Sequence, residues 1–387
     1  MFRLFSLLAL ILLSACATDR PLAFTGCTVL DKFRVHVGAT PGSRDGPTAA
    51  GIPSGETLDS IFARATPRSR DMLAAPGVNY LVLSGGGQWG AFGAGFLKGW
   101  SDRGPGAEAR PARFDIVTGI STGALQSTFA FLGKPEDASL IDAYSITDER
   151  QLLKRHGATF FINHASMADT GPAGDYVRAR VRPLIDKVAA PENADRTLLV
   201  GAVDALDGEL YAIDLTRIAR ELTGMEREDC YVGALMASSA VPIVFRQVTV
   251  GGKPYFDGGV RKSVFLSEIS NAAERALTAQ ARTGTIYILI NGDPVAAKVA
   301  TLPAKLLPSL NRLRSIVFNQ VELSSIFETS RVYPNMTTKI ATAAGNPCNA
   351  AADEDGEIFS PKVMTCLRSD GYARWRSGNP WKDYPTR

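Results

Sequence analysis

The chain of 387 residues contains only three histidines, His36, His156 and His164, and none beyond residue 164. A serine hydrolase of the α/β-hydrolase type needs a histidine late in the chain, after its nucleophile and its acid. That triad is therefore disfavoured, and His156 and His164 are interpreted as structural or surface residues. C-x-x-C pairs are also missing, and three histidines make a poor metal cluster, so we expect neither a metal nor a cofactor.

Strong charge of either sign is also missing from the chain. The formal net charge is +3, and the basic residues are scattered, so nucleic acid is not expected as a partner. Hydrophobic residues make up 45% of the chain and charged residues 21%, which excludes a largely disordered protein and predicts a globular one with an ample core.

The first residues predict export and lipidation. Met1-Phe-Arg3 is a short positive start, Leu4 to Leu13 is apolar but too short to span a bilayer comfortably, and Leu13-Ser-Ala-Cys16 follows. This end resembles the lipobox of bacterial lipoproteins. The resemblance implies a signal peptide over 1–15, acylation of Cys16 and a membrane anchor, and Ala17 favours the outer membrane of the cell envelope. An ordinary secretory signal with a fortuitous cysteine is the alternative.

Export makes the other cysteines interpretable. Four remain after Cys16, an even number in an oxidising compartment: Cys27, Cys230, Cys348 and Cys366. Cys348 and Cys366 share one loop-rich tail and are the first candidates for a disulfide. A Cys27–Cys230 bridge requires the fold to bring the two together, and free buried cysteines remain the alternative.

A G-x-S-x-G pentapeptide, Gly119 to Gly123, follows the apolar run Phe114-Asp-Ile-Val-Thr118. Such a turn can hold the Ser121 hydroxyl clear of the backbone at a strand-to-helix junction, where it can attack an ester carbonyl. Without a suitable histidine, a carboxylate must act as the base. Asp257 offers one at the end of the strand region Val248–Phe256.

Upstream, the apolar strand Tyr80-Leu-Val-Leu83 runs into Ser84-Gly-Gly-Gly-Gln-Trp-Gly90 and then a helix. Consecutive backbone N–H groups at a helix N-terminus can stabilise an oxyanion. The same glycines satisfy a dinucleotide-binding fingerprint. That alternative is disfavoured, because the second strand ends in the serine elbow, where a ribose-binding acid would be expected.

The glycine loop, the elbow and Asp257-Gly-Gly259, together with Ala237-Ser-Ser-Ala-Val-Pro-Ile-Val-Phe245, resemble in this order a patatin-like phospholipase domain over about 78–265. The resemblance implies Ser121 as nucleophile, Asp257 as general base, and the amides of Gly86 and Gly87, with Gly85 as a third candidate, as the oxyanion hole. The supporting glycines of these motifs are Gly90, Gly119, Gly123, Gly258 and Gly259. Trp89 departs from the family, which often has Arg or Lys there, and this puts a strict phospholipid preference in doubt.

The element order predicts an α/β fold, a three-layer sandwich with a mainly parallel central sheet. The predicted segments are a signal peptide over 1–15, a lipidated linker over 16–75, a hydrolase domain over 76–300, and a helical and loop-rich extension over 301–387. Residues 135–195 are expected to form an insertion over the active site. Leu306–Arg331 predicts an amphipathic helix that packs on the sheet, with a role at a membrane surface as the alternative.

These patterns predict a hydrolase that cleaves fatty acyl esters through a Ser–Asp dyad and an acyl-enzyme. Its expected partners are a phospholipid or other acyl-lipid substrate and a membrane, reached through the lipid anchor. Two alternatives stay open: a catalytically silent lipid-binding lipoprotein, and an esterase that acts on esters other than phospholipids.

Overall fold

The structure, a computed structural model, describes residues 21–37, 57–65, 77–106, 108–157, 166–264, 266–280, 282–294, 306–327, 334–348 and 357–383. The predicted signal peptide over 1–15, Cys16 and His164 lie outside these residues. Among the described helices, none combines the length and the apolar character that a bilayer crossing requires.

The described strands are β1 (Ala23–Phe24), β2 (Arg34–His36), β3 (Val78–Leu83), β4 (Ile116–Ile120), β5 (Lys154–Arg155), β6 (Ala168–Asp169), β7 (Thr197–Asp204), β8 (Leu210–Asp214), β9 (Val248–Val250), β10 (Lys253–Asp257), β11 (Gly284–Ile290), β12 (Met336–Thr342) and β13 (Lys382–Asp383). The described α-helices are α1 (Leu58–Ala65), α2 (Gly90–Asp102), α3 (Thr122–Leu132), α4 (Asp137–Ala143), α5 (Gly171–Ala189), α6 (Leu215–Glu221), α7 (Gly224–Ser238), α8 (Leu266–Ala279), α9 (Leu306–Phe327) and α10 (Pro361–Ala373).

One large sheet runs through the molecule in the order β1-β9-β10-β7-β4-β3-β11-β12-β13, with β8 pairing β7 and β2. Its centre is parallel, because β12, β11, β3, β4 and β7 all run in one direction. Their carboxyl ends therefore meet at the same edge, where loops of open α/β sheets bind ligands.

Helices cover both faces of this sheet and bury two separate cores. Leu81 and Val117 face the side of α2, α3, α5, α7 and α10, and Tyr80 and Ile116 face the side of α1 and α8. Near-continuous apolar strands of this kind are typical of a parallel sheet that is buried on both faces. The predicted three-layer α/β sandwich is confirmed.

The predicted linker over 16–75 is wrong for residues 21–37. Strand β1 pairs with β9 and β2 with β8, and Cys27 forms a disulfide with Cys230 of α7. Strands of two or three residues are too short to show a periodic pattern, so composition alone indicated a tether. Helix α1 also packs on the domain, since Phe62 is fully buried beside α8.

The C-terminal residues are more regular than a loop-rich tail. Strand β12 continues the central sheet beyond β11, and α10 packs along α2. Cys348 and Cys366 form a disulfide there. Trp375 and Trp381 are buried against Trp100 of α2, so these aromatics belong to the core.

Candidate active site

Ser121 lies at the sharp turn between β4 and α3. Its φ of 55° and ψ of −126° lie where a non-glycine residue is rarely found, a form of strain that clusters at functional sites. The flanking glycines permit the turn, since a Cβ on Gly119 would lie 2.4 Å from the Gly123 carbonyl oxygen, and one on Gly123 would lie 2.4 Å from the Leu83 carbonyl oxygen. The G-x-S-x-G spacing is thus a steric requirement of this turn.

Two serines at the end of α7 hold the elbow from behind. The Ser121 N–H donates to both the carbonyl oxygen and the Oγ of Ser238, each at 3.1 Å. Ser238 Oγ donates in turn to the Gly201 carbonyl in β7 at 2.6 Å, and Ser239 Oγ donates to the Ser121 carbonyl at 3.2 Å. The sequence motif over 237–245 gave these serines no role, because their partners are distant in the chain.

Strands β4 and β10 end face to face on one edge of β7. Strand β8 occupies the other edge of β7 across Leu199–Val203. On the shared edge, Ile120, the last residue of β4, lies opposite Gly201, and Asp257, the last residue of the antiparallel β10, lies opposite Ala202. Because Gly201 and Ala202 are neighbours, the elbow serine and the predicted acid emerge side by side.

The Asp257 carboxyl group is fully buried. Its Oδ1 accepts a hydrogen bond from the Gly259 N–H at 2.7 Å, whereas its Oδ2 has no hydrogen-bond partner among the described residues. Burial raises the pKa of Asp257 to about 7. The nearby Ser121 hydroxyl and the Gly259 amide act to lower this pKa, but their effect is smaller than that of burial. A Cβ on Gly258 would lie 2.5 Å from the Gly201 carbonyl oxygen, so glycine lets this turn approach β7.

The glycine loop leads from β3 into a 3₁₀ turn before α2. Gly86 and Gly87 have φ of 149° and 56°, and the N–H of each has no hydrogen-bond acceptor among the residues that the structure describes. Gly85 differs, because its N–H donates to the Ser263 carbonyl at 3.4 Å. This hydrogen bond argues against the predicted oxyanion role of Gly85. The N–H groups of Gly86 and Gly87 are the donors that remain available for an oxyanion.

A buried polar network behind the loop fixes its position. Asn291, the residue after β11, donates from its backbone N–H to Ser84 Oγ at 2.8 Å and from Nδ2 to the Ser84 carbonyl at 2.9 Å. Its Nδ2 also donates to Gln126 Oε1 at 3.0 Å, and Gln126 Nε2 donates to the Gly90 carbonyl at 2.6 Å. Sequence reasoning missed Asn291 and Gln126. The available signal was a polar residue placed directly after the buried strand β11.

A cavity lies in front of Ser121 and Gly87. Apolar side chains form most of its wall, and they come from α3, α5 and several other segments. Arg180 is the only charged residue among the described residues that line it. The Arg180 guanidinium stacks on the Tyr176 ring at 3.4 Å, and its Nε donates to Asp142 Oδ2 at 3.1 Å.

Several residues considered from the sequence lie away from this cavity. Trp89 is half-buried against the core and is not among the lining residues, so it does not restrict the cavity. His36 lies 3.3 Å from Glu209, and neither His36 nor His156 lines the cavity. The part of the chain that the structure describes contains no cluster of three metal-ligating side chains.

Comparison with known families identifies the domain. Residues 81–268 match the family model "Patatin-like phospholipase". These residues form a patatin-like phospholipase domain. The family consists of lipid acyl hydrolases, and the resemblance found in the sequence motifs is confirmed.

No curated protein matches the sequence. Among solved structures, the crystal structure of VipD from Legionella pneumophila is similar, with a TM-score of 0.38 and 12% sequence identity over 80% of this chain and 68% of that chain.

The burial of Asp257 predicts an unusual stability effect. Because its folded-state pKa is raised to about 7, the stability that its protonated form contributes is present below about pH 4 and is lost as the pH rises to about 7. Asp257→Asn should therefore raise the free energy of unfolding at pH 8 by about 1–4 kcal/mol, with a smaller gain at pH 5. Urea unfolding at both pH values measures this.

Asp204→Asn is the matched control for this measurement. Asp204 is a buried carboxylate at the end of the same strand pair, but its Oδ2 accepts a hydrogen bond from Arg34 at 2.7 Å. Its replacement should lower stability at both pH values. A lower stability of Asp257→Asn at pH 8 would contradict the assignment of a destabilising buried carboxylate.

Proposed function

We propose that this protein hydrolyses fatty acyl esters of lipids, with Ser121 as nucleophile and Asp257 as general base. The observation that carries the proposal is the meeting of β4 and β10 on one edge of β7, which brings the elbow serine beside a buried carboxyl group. Asp257 Oδ2 has no hydrogen-bond partner among the described residues. The pKa of Asp257 is raised to about 7, close to the pH at which a general base must work.

The reaction proceeds in two steps. As Asp257 takes the hydroxyl proton, Ser121 Oγ attacks the acyl carbonyl carbon, and the N–H groups of Gly86 and Gly87 stabilise the resulting oxyanion. The alcohol part of the lipid leaves with the proton from Asp257, and the acyl group stays on Ser121 as an ester. A water molecule, deprotonated by Asp257, then attacks this ester, and Asp257 returns the proton to Ser121 Oγ as the fatty acid leaves.

The apolar cavity in front of Ser121 supports an acyl substrate, and Arg180 supports an anionic head group. We propose that Arg180 takes over the electrostatic contact that a basic residue at position 89 would make in relatives. It lines the cavity, and the Tyr176 ring and Asp142 hold its guanidinium in place.

We also propose the cell envelope as the site of action, with Cys16 acylated and the domain facing lipid. The two disulfides, Cys27–Cys230 and Cys348–Cys366, support an oxidising compartment, because such bonds are rare in the cytosol. The anchor itself falls in the part of the chain before the described residues.

Ser121→Ala and Asp257→Asn test the chemistry. Each should lower kcat/KM for a short-chain acyl ester by at least about a thousand-fold, because each removes one half of the proton-transfer pair. Hydrolysis of p-nitrophenyl butyrate by the purified variants measures this. Ser139→Ala and Asp207→Asn, which change an α4 serine and a turn carboxylate, should retain full turnover. Full turnover by Ser121→Ala would rule out the assigned nucleophile.

Arg180→Gln tests the head-group contact. Loss of one charge-assisted hydrogen bond should lower kcat/KM for an anionic lysophospholipid by about tenfold and leave an uncharged monoglyceride nearly unaffected. Arg182→Gln, on the same helix but outside the cavity lining and paired with Glu228, is the control. Equal losses on both substrates would show that Arg180 acts on the fold and not on the head group.

A further inference from the structure

Helix α9 exposes an apolar face. Leu313, Ile316 and Val317 are 56%, 45% and 48% exposed, although all three are large and hydrophobic. Their spacing of three and four residues places them on one side of the helix. We call these three residues the α9 face. A soluble protein rarely leaves such a cluster in water without a use.

Two polar residues of α9 attach the helix to loops of the domain. Asn319 Nδ2 donates to the carbonyls of Asp293 and Pro294, at 3.4 and 3.0 Å. Ser325 Oγ accepts from the Ser263 N–H at 3.3 Å. The α9 face therefore belongs to a helix whose position on the domain is set by hydrogen bonds.

Both of these loops contact the glycine loop. The Ser263 carbonyl accepts from the Gly85 N–H, and the Asn291 carbonyl oxygen lies 1.8 Å from where a Cβ on Gly86 would stand. Helix α9 also contacts the turn Gly258–Val260 that follows the proposed base, and Val260 is 40% exposed. At a rise of about 1.5 Å per residue, Val317 lies about 12 Å along the helix from Ser325. Helix α9 thus lies beside loops at the carboxyl edge of the sheet, where the proposed reaction takes place.

The charged residues of α9 that precede Glu322 are basic. They are Arg312 and Arg314, and this part of the helix contains no acidic residue. Amphipathic helices that combine apolar and basic residues bind at the surface of anionic bilayers. These basic residues favour an anionic lipid surface over a neutral protein as the partner of the α9 face.

We propose that the α9 face, together with Val260, is the surface by which this domain docks on an anionic lipid bilayer. Docking there places the glycine loop and Ser121 next to the lipids from which a substrate is taken. The proposal rests on the proposed function for its substrate, but it concerns binding and is tested without turnover.

The test labels a cysteine introduced on the α9 face. In the full chain carrying Cys16→Ser, the four remaining cysteines are in disulfides, so Ile316→Cys supplies the one thiol for an environment-sensitive fluorophore. Adding vesicles of phosphatidylcholine with phosphatidylglycerol should shift its emission to the blue and protect it from iodide quenching. Arg312→Gln in the same background should weaken this vesicle response about five-fold.

Met225→Cys is the matched control. Met225 is 75% exposed at the start of α7, whose opposite end carries Ser238. Its label should stay accessible to iodide on the same vesicles. A label at residue 316 that stays accessible on bound vesicles, or a protein that does not bind them, would overturn the proposal. A label that is already protected from iodide without lipid, in a dimer of the protein, would also overturn the proposal.

The result separates docking from catalysis. Insertion of residue 316 in a protein that lacks esterase activity would uphold the docking surface and reject the proposed function. Esterase activity on a soluble ester, without insertion of residue 316, would uphold the proposed function and reject the docking surface.

Discussion

The structure of the site depends on one constraint, a carboxyl group kept away from water at the point where two strands end. Strand β4 delivers Ser121 and strand β10 delivers Asp257 to neighbouring positions along β7. An ionised buried carboxylate is costly, and Asp257 has a hydrogen bond to only one of its two oxygens among the described residues. This cost raises the pKa of Asp257 to about 7, a value that suits a base that must accept and return a proton.

The surrounding backbone is shaped to permit this meeting. Ser121 adopts a positive φ, and glycines at 119, 123 and 258 allow approaches that a Cβ would block. Ser238 holds the elbow by its backbone N–H, and Asn291 holds the glycine loop through Ser84. The N–H groups of Gly86 and Gly87 have no acceptor among the described residues and are available to an oxyanion.

Local sequence was enough to predict the elbow, the glycine loop and the parallel strands that carry them, because each is a short segment with its own steric and apolar pattern. Asp257 was found because a glycine pair follows it and a family pattern contains it. Its position beside Ser121 could not be read from the sequence, since that depends on β4 and β10 sharing one edge of β7.

The supporting residues escaped sequence reasoning for the same reason. Ser238 and Asn291 act on partners that are 117 and 207 residues away in the chain. Residues 21–37 looked like a tether, because very short strands gain their stability from neighbours and from the Cys27–Cys230 bridge. Arg180 could not be singled out from the sequence either, because its importance depends on the cavity, in which it is the one charged residue among the described lining residues.

The most direct test of the serine–aspartate pairing is the pH dependence of Ser121 phosphonylation by a fluorophosphonate, followed by mass analysis of the labelled peptide. If the buried Asp257 is the base, the rate constant should fall about tenfold for each pH unit below about 7 and reach a plateau above it, because only the ionised carboxylate accepts the proton. A rate constant that stays level from pH 5 to pH 8 in folded protein would contradict the pairing.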